Sequence, residues 1–289
     1  MVINGLTSFN LYPGQQCFVY NDNNVWKVKD YNPRWRLTGS LTIFVDQTNG
    51  SDSNDGLASG SGNAFQTWTA AYSLINKNLD FNNNAVTVQY ASGQTITTPI
   101  VMNHGWIGGG LLTIDLGTST LNPTSPTFGS AVYASTTGAG PFTVQNGTIA
   151  TTTSGGGIHA TSGAIINLGS SITFSTCAGV HIQADFLGVV NANVAYAITG
   201  NPTSAHANAT AQGQIAMQGT TVTFTGSINF GIFALCSNLG LIYAASFTSS
   251  GGTLTGQKYN VASNGVVQSN GSTFPGPTAG STATGGQYL

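Results

Sequence analysis

The chain has 289 residues, a formal net charge of −2 and only 5% charged residues, against about 25% in ordinary soluble domains. It contains no glutamate, and no lysine or arginine between Lys77 and Lys258. A largely helical protein, whose surface needs Lys and Glu, is therefore excluded, and so is the basic patch that nucleic acid requires.

Residues 1–6 have neither the charged nor the apolar region of a signal peptide, and no stretch approaches the ~18 apolar residues of a membrane span. No membrane insertion is expected. Cys17, Cys177 and Cys236 are odd in number and far apart, which suits buried small hydrophobes and not a disulfide framework or a metal site. Residues 1–40 hold four of the six basic residues, Lys27, Lys29, Arg34 and Arg36, with Trp26 and Trp35. Residues 16–20 and 25–28 read as a hairpin around the turn at 21–24. This segment is either an attachment module, with Trp26, Arg34, Trp35 and Arg36 as its contact residues, or a first layer on the main domain.

Residues 41–46 read as a strand. The Asp- and Asn-rich loop at 49–56 has the spacing of a calcium loop but lacks the closing glutamate, so a tight turn held by Asx hydrogen bonds is expected. Residues 65–75 place Phe65, Trp68, Ala71, Tyr72 and Ile75 on one helical face.

From residue 85 the sequence repeats. One series begins at Gly157-Ile158-His159-Ala160, Gly179-Val180-His181-Ile182, Ser204-Ala205-His206-Ala207 and Gly231-Ile232-Phe233-Ala234. A second runs through Ile166, Val190, Ile215, Ile242 and Val267, and a third through Ile172-Thr173-Phe174, Tyr196-Ala197-Ile198, Val222-Thr223-Phe224 and Ala245-Ser246-Phe247. Three short strands per repeat, with Gly or Asn at the corners, describe one coil of a parallel β-helix. About eight coils at ~4.8 Å each give a rod of roughly 35–40 Å. In this reading Ile158, Val180 and Ile232 stack in one interior column. The helix at 65–75 caps the first coil, and residues 274–277 with the tail close the last. The expected organisation is an N-terminal module at 1–40, an opening strand, loop and capping helix at 41–84, the β-helix at 85–275 and a tail at 276–289.

The opening strand Ile43-Phe44-Val45-Asp46, the loop Gly50-Ser51-Asp52-Ser53-Asn54-Asp55-Gly56-Leu57 and the helix start Phe65-Gln66-Thr67 resemble the right-handed β-helix tail spikes and tail fibres of tailed bacteriophages. Residues 277–288 also look like the ends of phage fibre proteins. The resemblance implies an all-β, pectate-lyase-like fold, a homotrimer on a virion with the tail favoured over the head, other virion proteins as partners of the N-terminal region, and a host-surface polysaccharide as the target. A head spike or adaptor with a purely structural role is the alternative, and a depolymerase with a site between subunits is another.

The residues argue for binding over catalysis. Glycoside hydrolysis needs two carboxylates about 5–10 Å apart. Asp115 and Asp185, 70 residues apart, would be separated by about three coils, on the order of 14 Å. The Arg or Lys base and acid cluster of a pectate-type lyase are missing from the coils, and no cofactor is indicated. His159, His181 and His206, with Phe233 in the next coil, are expected to form an exterior ladder. It would serve as a trimer interface, a metal or anion site, or an acid–base pair with tyrosine. Trp106 and His104, in the Gly-rich stretch 103–110, are the residues that would stack on a sugar, with plain packing as the other role for Trp106.

Overall fold

The computed structural model describes residues 18–22, 25–29, 34–135 and 140–289; over 18–29 it describes the backbone alone. Short runs of alternating apolar and polar residues, each ended by a tight corner, wind the chain into a parallel β-helix with three faces. The first face is a ten-stranded parallel sheet from Leu41–Val45 to Gln287–Tyr288. The second and third faces form one bent sheet of 13 strands. In two late coils a single strand, Thr221–Cys236 or Thr248–Val261, runs across both. Seven coils are complete, from the one opening with Val86–Tyr90 to the one closing with Thr248–Val261, and Val266–Gln268 begins a partial eighth.

The interior is built from ladders of apolar side chains. Leu112, Phe142, Ile166, Val190, Ile215, Ile242 and Val267 are register partners on successive rungs of the first face. All are buried. Each such side chain contributes about 1.5–3 kcal/mol on leaving water, which supplies the cohesion that this uncharged chain cannot draw from ion pairs. The expected column of Ile158, Val180 and Ile232 does not form. Ile158 pairs with Ile182, then Ala207, then Ala234, while Ile232 pairs with Ala205.

Between the third face and the next coil the chain makes the same four-residue turn repeatedly, at 161–164, 185–188, 210–213, 237–240, 262–265 and 283–286. Each closes with a backbone hydrogen bond of 2.8–3.0 Å from the fourth N–H to the first carbonyl, and both central residues have positive φ. This is type I′ geometry. The fourth residue is glycine in five of the six because the coils approach closely there. A Cβ on Gly188 or Gly213 would lie 2.1 Å from the carbonyl oxygen of Ala160 or Ala184. The glycine ahead of the first-face strands at 189–191, 214–216, 241–243, 266–268 and 287–288 is thus a packing requirement.

The N-terminal end is closed by the helix Trp68–Ser73 and the π-helical turn Leu74–Asn78, with Trp68, Ala71, Leu74 and Ile75 buried over the first coil. The Thr67 side chain caps the helix by accepting from the Ala70 N–H, and the Asp52 carboxylate accepts from the Gln66 and Thr67 N–H groups. Asp46 accepts from the N–H groups of Thr48 and Asn49. The opening loop therefore spends these aspartates as turn and cap acceptors, as expected. At the other end Phe274 is buried against Phe233 and Phe247, and Tyr288 stacks on Tyr259 at 3.9 Å.

Strands Phe18–Asp22 and Val25–Lys29 form the expected antiparallel hairpin. Trp26 lies on its second strand and its side chain is outside the described residues, as is Cys17. Trp35–Arg36 pairs with Leu79–Asp80, and Leu37 is buried. Arg34 Nη1 donates to the carbonyls of Asn76 and Leu79, Arg36 donates to Asn82, and Trp35 packs on the core. Residues 34–37 are thus built into the first layer of the rod.

Candidate functional site

The corner between the first and second faces carries a groove, mixed polar and apolar in its first part and more apolar in its second, where Ile172, Val194, Ala195, Tyr196 and Ala197 line it. Along the second face runs a column of register partners, Thr95, Thr120, Thr148, Thr173, Ala197, Thr223 and Ser250, of which Thr148, Thr173, Ala197 and Thr223 line the groove. The pleat sends the apolar neighbours of these residues inward and their hydroxyls outward, one rung apart, ~4.8 Å. Two cavities follow this column. One, of about 610 Å³, is lined by Asp115, Thr118, Asn146, Thr148, Ser171 and Thr173 among others. The next, of about 480 Å³, shares Ser171 and Thr173 and continues past Tyr196 and Ala197 to Thr223. Together they make one groove running along the rod.

Among the described residues that line it, Asp115 is the only charged side chain. Its Oδ1 accepts from the Gly117 N–H at 2.8 Å, and its Oδ2 from Gln145 Nε2 at 3.0 Å and Asn146 Nδ2 at 2.9 Å. The carboxylate is held still by three donors, and it holds the amides that face the groove. The surface offered is one of fixed hydroxyl and amide groups, which matches the hydrogen-bonding needs of sugar hydroxyls. Asp185 is elsewhere: Asp115 ends a first-face strand in the second coil, whereas Asp185 opens the turn that follows the fourth coil. The separation is two coils and not three, at different corners, so the two carboxylates of one chain do not form a pair.

The histidines do not form an exterior ladder. His181 and His206 are fully buried, with Phe233 following them in the same interior column. In a regular parallel strand successive N–H groups serve opposite neighbours. Gly157 and Ile158 both donate to the following coil, at 2.8 Å each, which marks a bend there. The bend breaks the alternation, so the residue ahead of Ile182 or Ala207 turns inward. His159 belongs to the next position along, where the register partner is Gln183. Its side chain faces outward and its Nε2 lies 2.9 Å from Asp185 Oδ2.

The buried pair makes a closed hydrogen-bonded chain. His181 Nε2 lies 2.9 Å from the Ser175 carbonyl, His181 Nδ1 lies 3.0 Å from His206 Nδ1, and His206 Nε2 lies 2.7 Å from the Tyr196 hydroxyl. A carbonyl only accepts, so His181 carries its proton on Nε2 and its Nδ1 is bare. His206 then donates from Nδ1, and Tyr196 donates to His206 Nε2. Both rings are neutral. Burial pushes His181 down to about 3; burial and the neighbouring His181 push His206 well below the ordinary histidine range. These rings are core components.

Trp106 lies on Phe81 with ring centroids 5.5 Å apart and donates to the Gly109 carbonyl, so it packs over the first coils. His104 is exposed, with its Nδ1 2.9 Å from Asn103 Oδ1. Among the described residues no group of three or more His, Cys, Asp or Glu side chains converges to hold a metal ion. Comparison of the chain with protein-family models, curated proteins and solved structures finds no match.

The hydroxyl column escaped the reading of the sequence, although its signal was present: a Thr or Ala stands between two apolar residues in Ile172-Thr173-Phe174, Tyr196-Ala197-Ile198 and Val222-Thr223-Phe224.

Proposed function

We propose that this chain is the rod of a virion spike, a homotrimer anchored through its N-terminal region and adhering to a host-surface polysaccharide laid along the groove. One observation carries the adhesive part: a continuous groove whose wall repeats a hydroxyl nearly every rung, beside immobilised amides and a single carboxylate. A linear glycan presents hydroxyls along its length and is met by a linear array of partners fixed by the backbone ladder. The virion setting rests on the resemblance of the opening strand, loop and capping helix to phage spikes. The scarcity of charge makes the binding insensitive to ionic strength.

A glycan array with the full chain, at about 0.15 M and 0.5 M salt, tests the reading. Binding to particular polysaccharides at both salts, weakened by Thr148→Val and Thr173→Val with unchanged thermal stability, supports it. Absence of binding to any glycan, with the rod intact, leaves the structural role in its place. Imaging of intact particles with a labelled chain tests the virion setting separately.

A further inference from the structure

On the third face, away from the groove, Tyr133 and His159 are register partners on adjacent rungs, with their rings edge to face at 5.3 Å. Phe128, in the turn Thr127–Gly129 ahead of the Tyr133 strand, folds back and stacks on Tyr133 at 4.6 Å and 14°. Phe128 is 56% exposed and has a φ of 60°. A bulky side chain in the left-handed region is a strained choice, and leaving it exposed forgoes the gain from burial. The chain accepts both at this position, and the result is an aromatic face turned to solvent.

Beside this face stands an oriented imidazole. Asp185 Oδ2 accepts from His159 Nε2 and from Gln183 Nε2, each at 2.9 Å. The side chain is 10% exposed, and its Oδ1 is buried with no hydrogen-bond partner among the described residues. A buried acceptor without a donor is costly, so the contact is a poor device for stability alone. Its effect on His159 is definite. A carboxylate fixes a ring proton on Nε2, and Nδ1 has no partner among the described residues. Next to Asp185, Phe186 and Leu187 occupy the left-handed positions of the type I′ turn and are 64% and 60% exposed.

We propose that Phe128, Tyr133 and His159 form a second carbohydrate subsite, which takes one uncharged pyranose unit. The apolar C–H face of the sugar lies on the exposed Phe128 ring, and one of its hydroxyls donates to His159 Nδ1. Apolar and aromatic contact with a few placed polar groups is the usual make-up of a small-ligand site. Asp185 acts here as a positioning residue, by setting the tautomer. The subsite stands whether or not the groove binds a polysaccharide, because the two share no residue.

Saturation-transfer difference NMR on the full chain, with a panel of methyl pyranosides of glucose, galactose, mannose, rhamnose and N-acetylglucosamine, tests this. At least one pyranoside is expected to show saturation of its ring C–H protons. The signal falls at least tenfold in Phe128→Ala and in His159→Ala, and persists in the groove variant Thr173→Val. Phe128 is exposed, so its variant keeps the fold, which an unchanged thermal midpoint verifies. The proposal is overturned if no pyranoside is saturated, or if the signal survives Phe128→Ala. It is equally overturned if Thr173→Val removes the signal while Phe128→Ala does not; that result would place all sugar binding in the groove and leave the adhesive reading standing.

Discussion

Nδ1 of His181 and Nδ1 of His206 face each other at 3.0 Å inside the β-helix, with neither ring exposed to solvent. Only one proton fits between two such nitrogens, and the Ser175 carbonyl already fixes the outer proton of His181. Full protonation of both rings therefore breaks the chain of bonds and places charge among Phe174, Phe233 and Met217.

Stability is expected to fall in acid for this reason. Both rings have pKa values depressed below the unfolded value of about 6.5. Between pH ~6.5 and ~3 the unfolded chain then binds more protons than the folded one, so stability is fully present above the unfolded value and is lost as pH falls through that window. Thermal midpoints at pH 7.5 and 4.5, compared between the parent and the double variant His181→Phe/His206→Phe, isolate the effect. Phe233 occupies the next rung of the same column, so the comparison uses the pH slope of each protein and not its absolute midpoint. Equal pH slopes in the two proteins would contradict the assignment.

Tyr196→Phe removes the donor to His206 Nε2 and leaves that nitrogen buried without a partner. The expected loss is about 1–3 kcal/mol, read as a lower thermal midpoint. A neutral result would contradict the assignment of Tyr196 as the donor that His206 Nε2 depends on.

The turn at 185–188 carries avoidable strain. Phe186 and Leu187 have φ of 42° and 67°, and each left-handed non-glycine residue costs roughly 1–2 kcal/mol. Asn-Gly is the preferred pair for this turn type. The double variant Phe186→Asn/Leu187→Gly is expected to raise the midpoint of chemical unfolding. Lower stability would contradict the assignment of strain to this turn.

Gly213→Ala drives a Cβ to 2.1 Å from the Ala184 carbonyl oxygen. The coils must part there, and the ladder bonds on both sides weaken. A large loss of stability is expected, in excess of the roughly 1 kcal/mol typical of point substitutions. The control Gly219→Ala, where φ is 65° but no atom lies within 4 Å, separates steric contact from backbone strain. It should lose less.

Composition and pattern alone determined the architecture. A chain without glutamate, and without Lys or Arg over most of its length, cannot dress helices for water, so its apolar residues had to alternate along strands. The recurrent Gly ahead of Val190, Ile215, Ile242 and Val267 marked the rung register of the first face, because a Cβ at each of those four positions would meet a carbonyl of the preceding coil. The cap was legible as well, since Phe65, Trp68, Ala71 and Ile75 share one helical face. What the chain does with its few polar anchors was decided in three dimensions. Period-two logic holds along a straight strand and fails at a bend, so His181 and His206 went inside while His159 stayed out. The side-chain partners of His159 and Asp115 come from other coils, 26 to 31 positions away. That spacing depends on the length of every intervening corner, and only the wound rod fixes it.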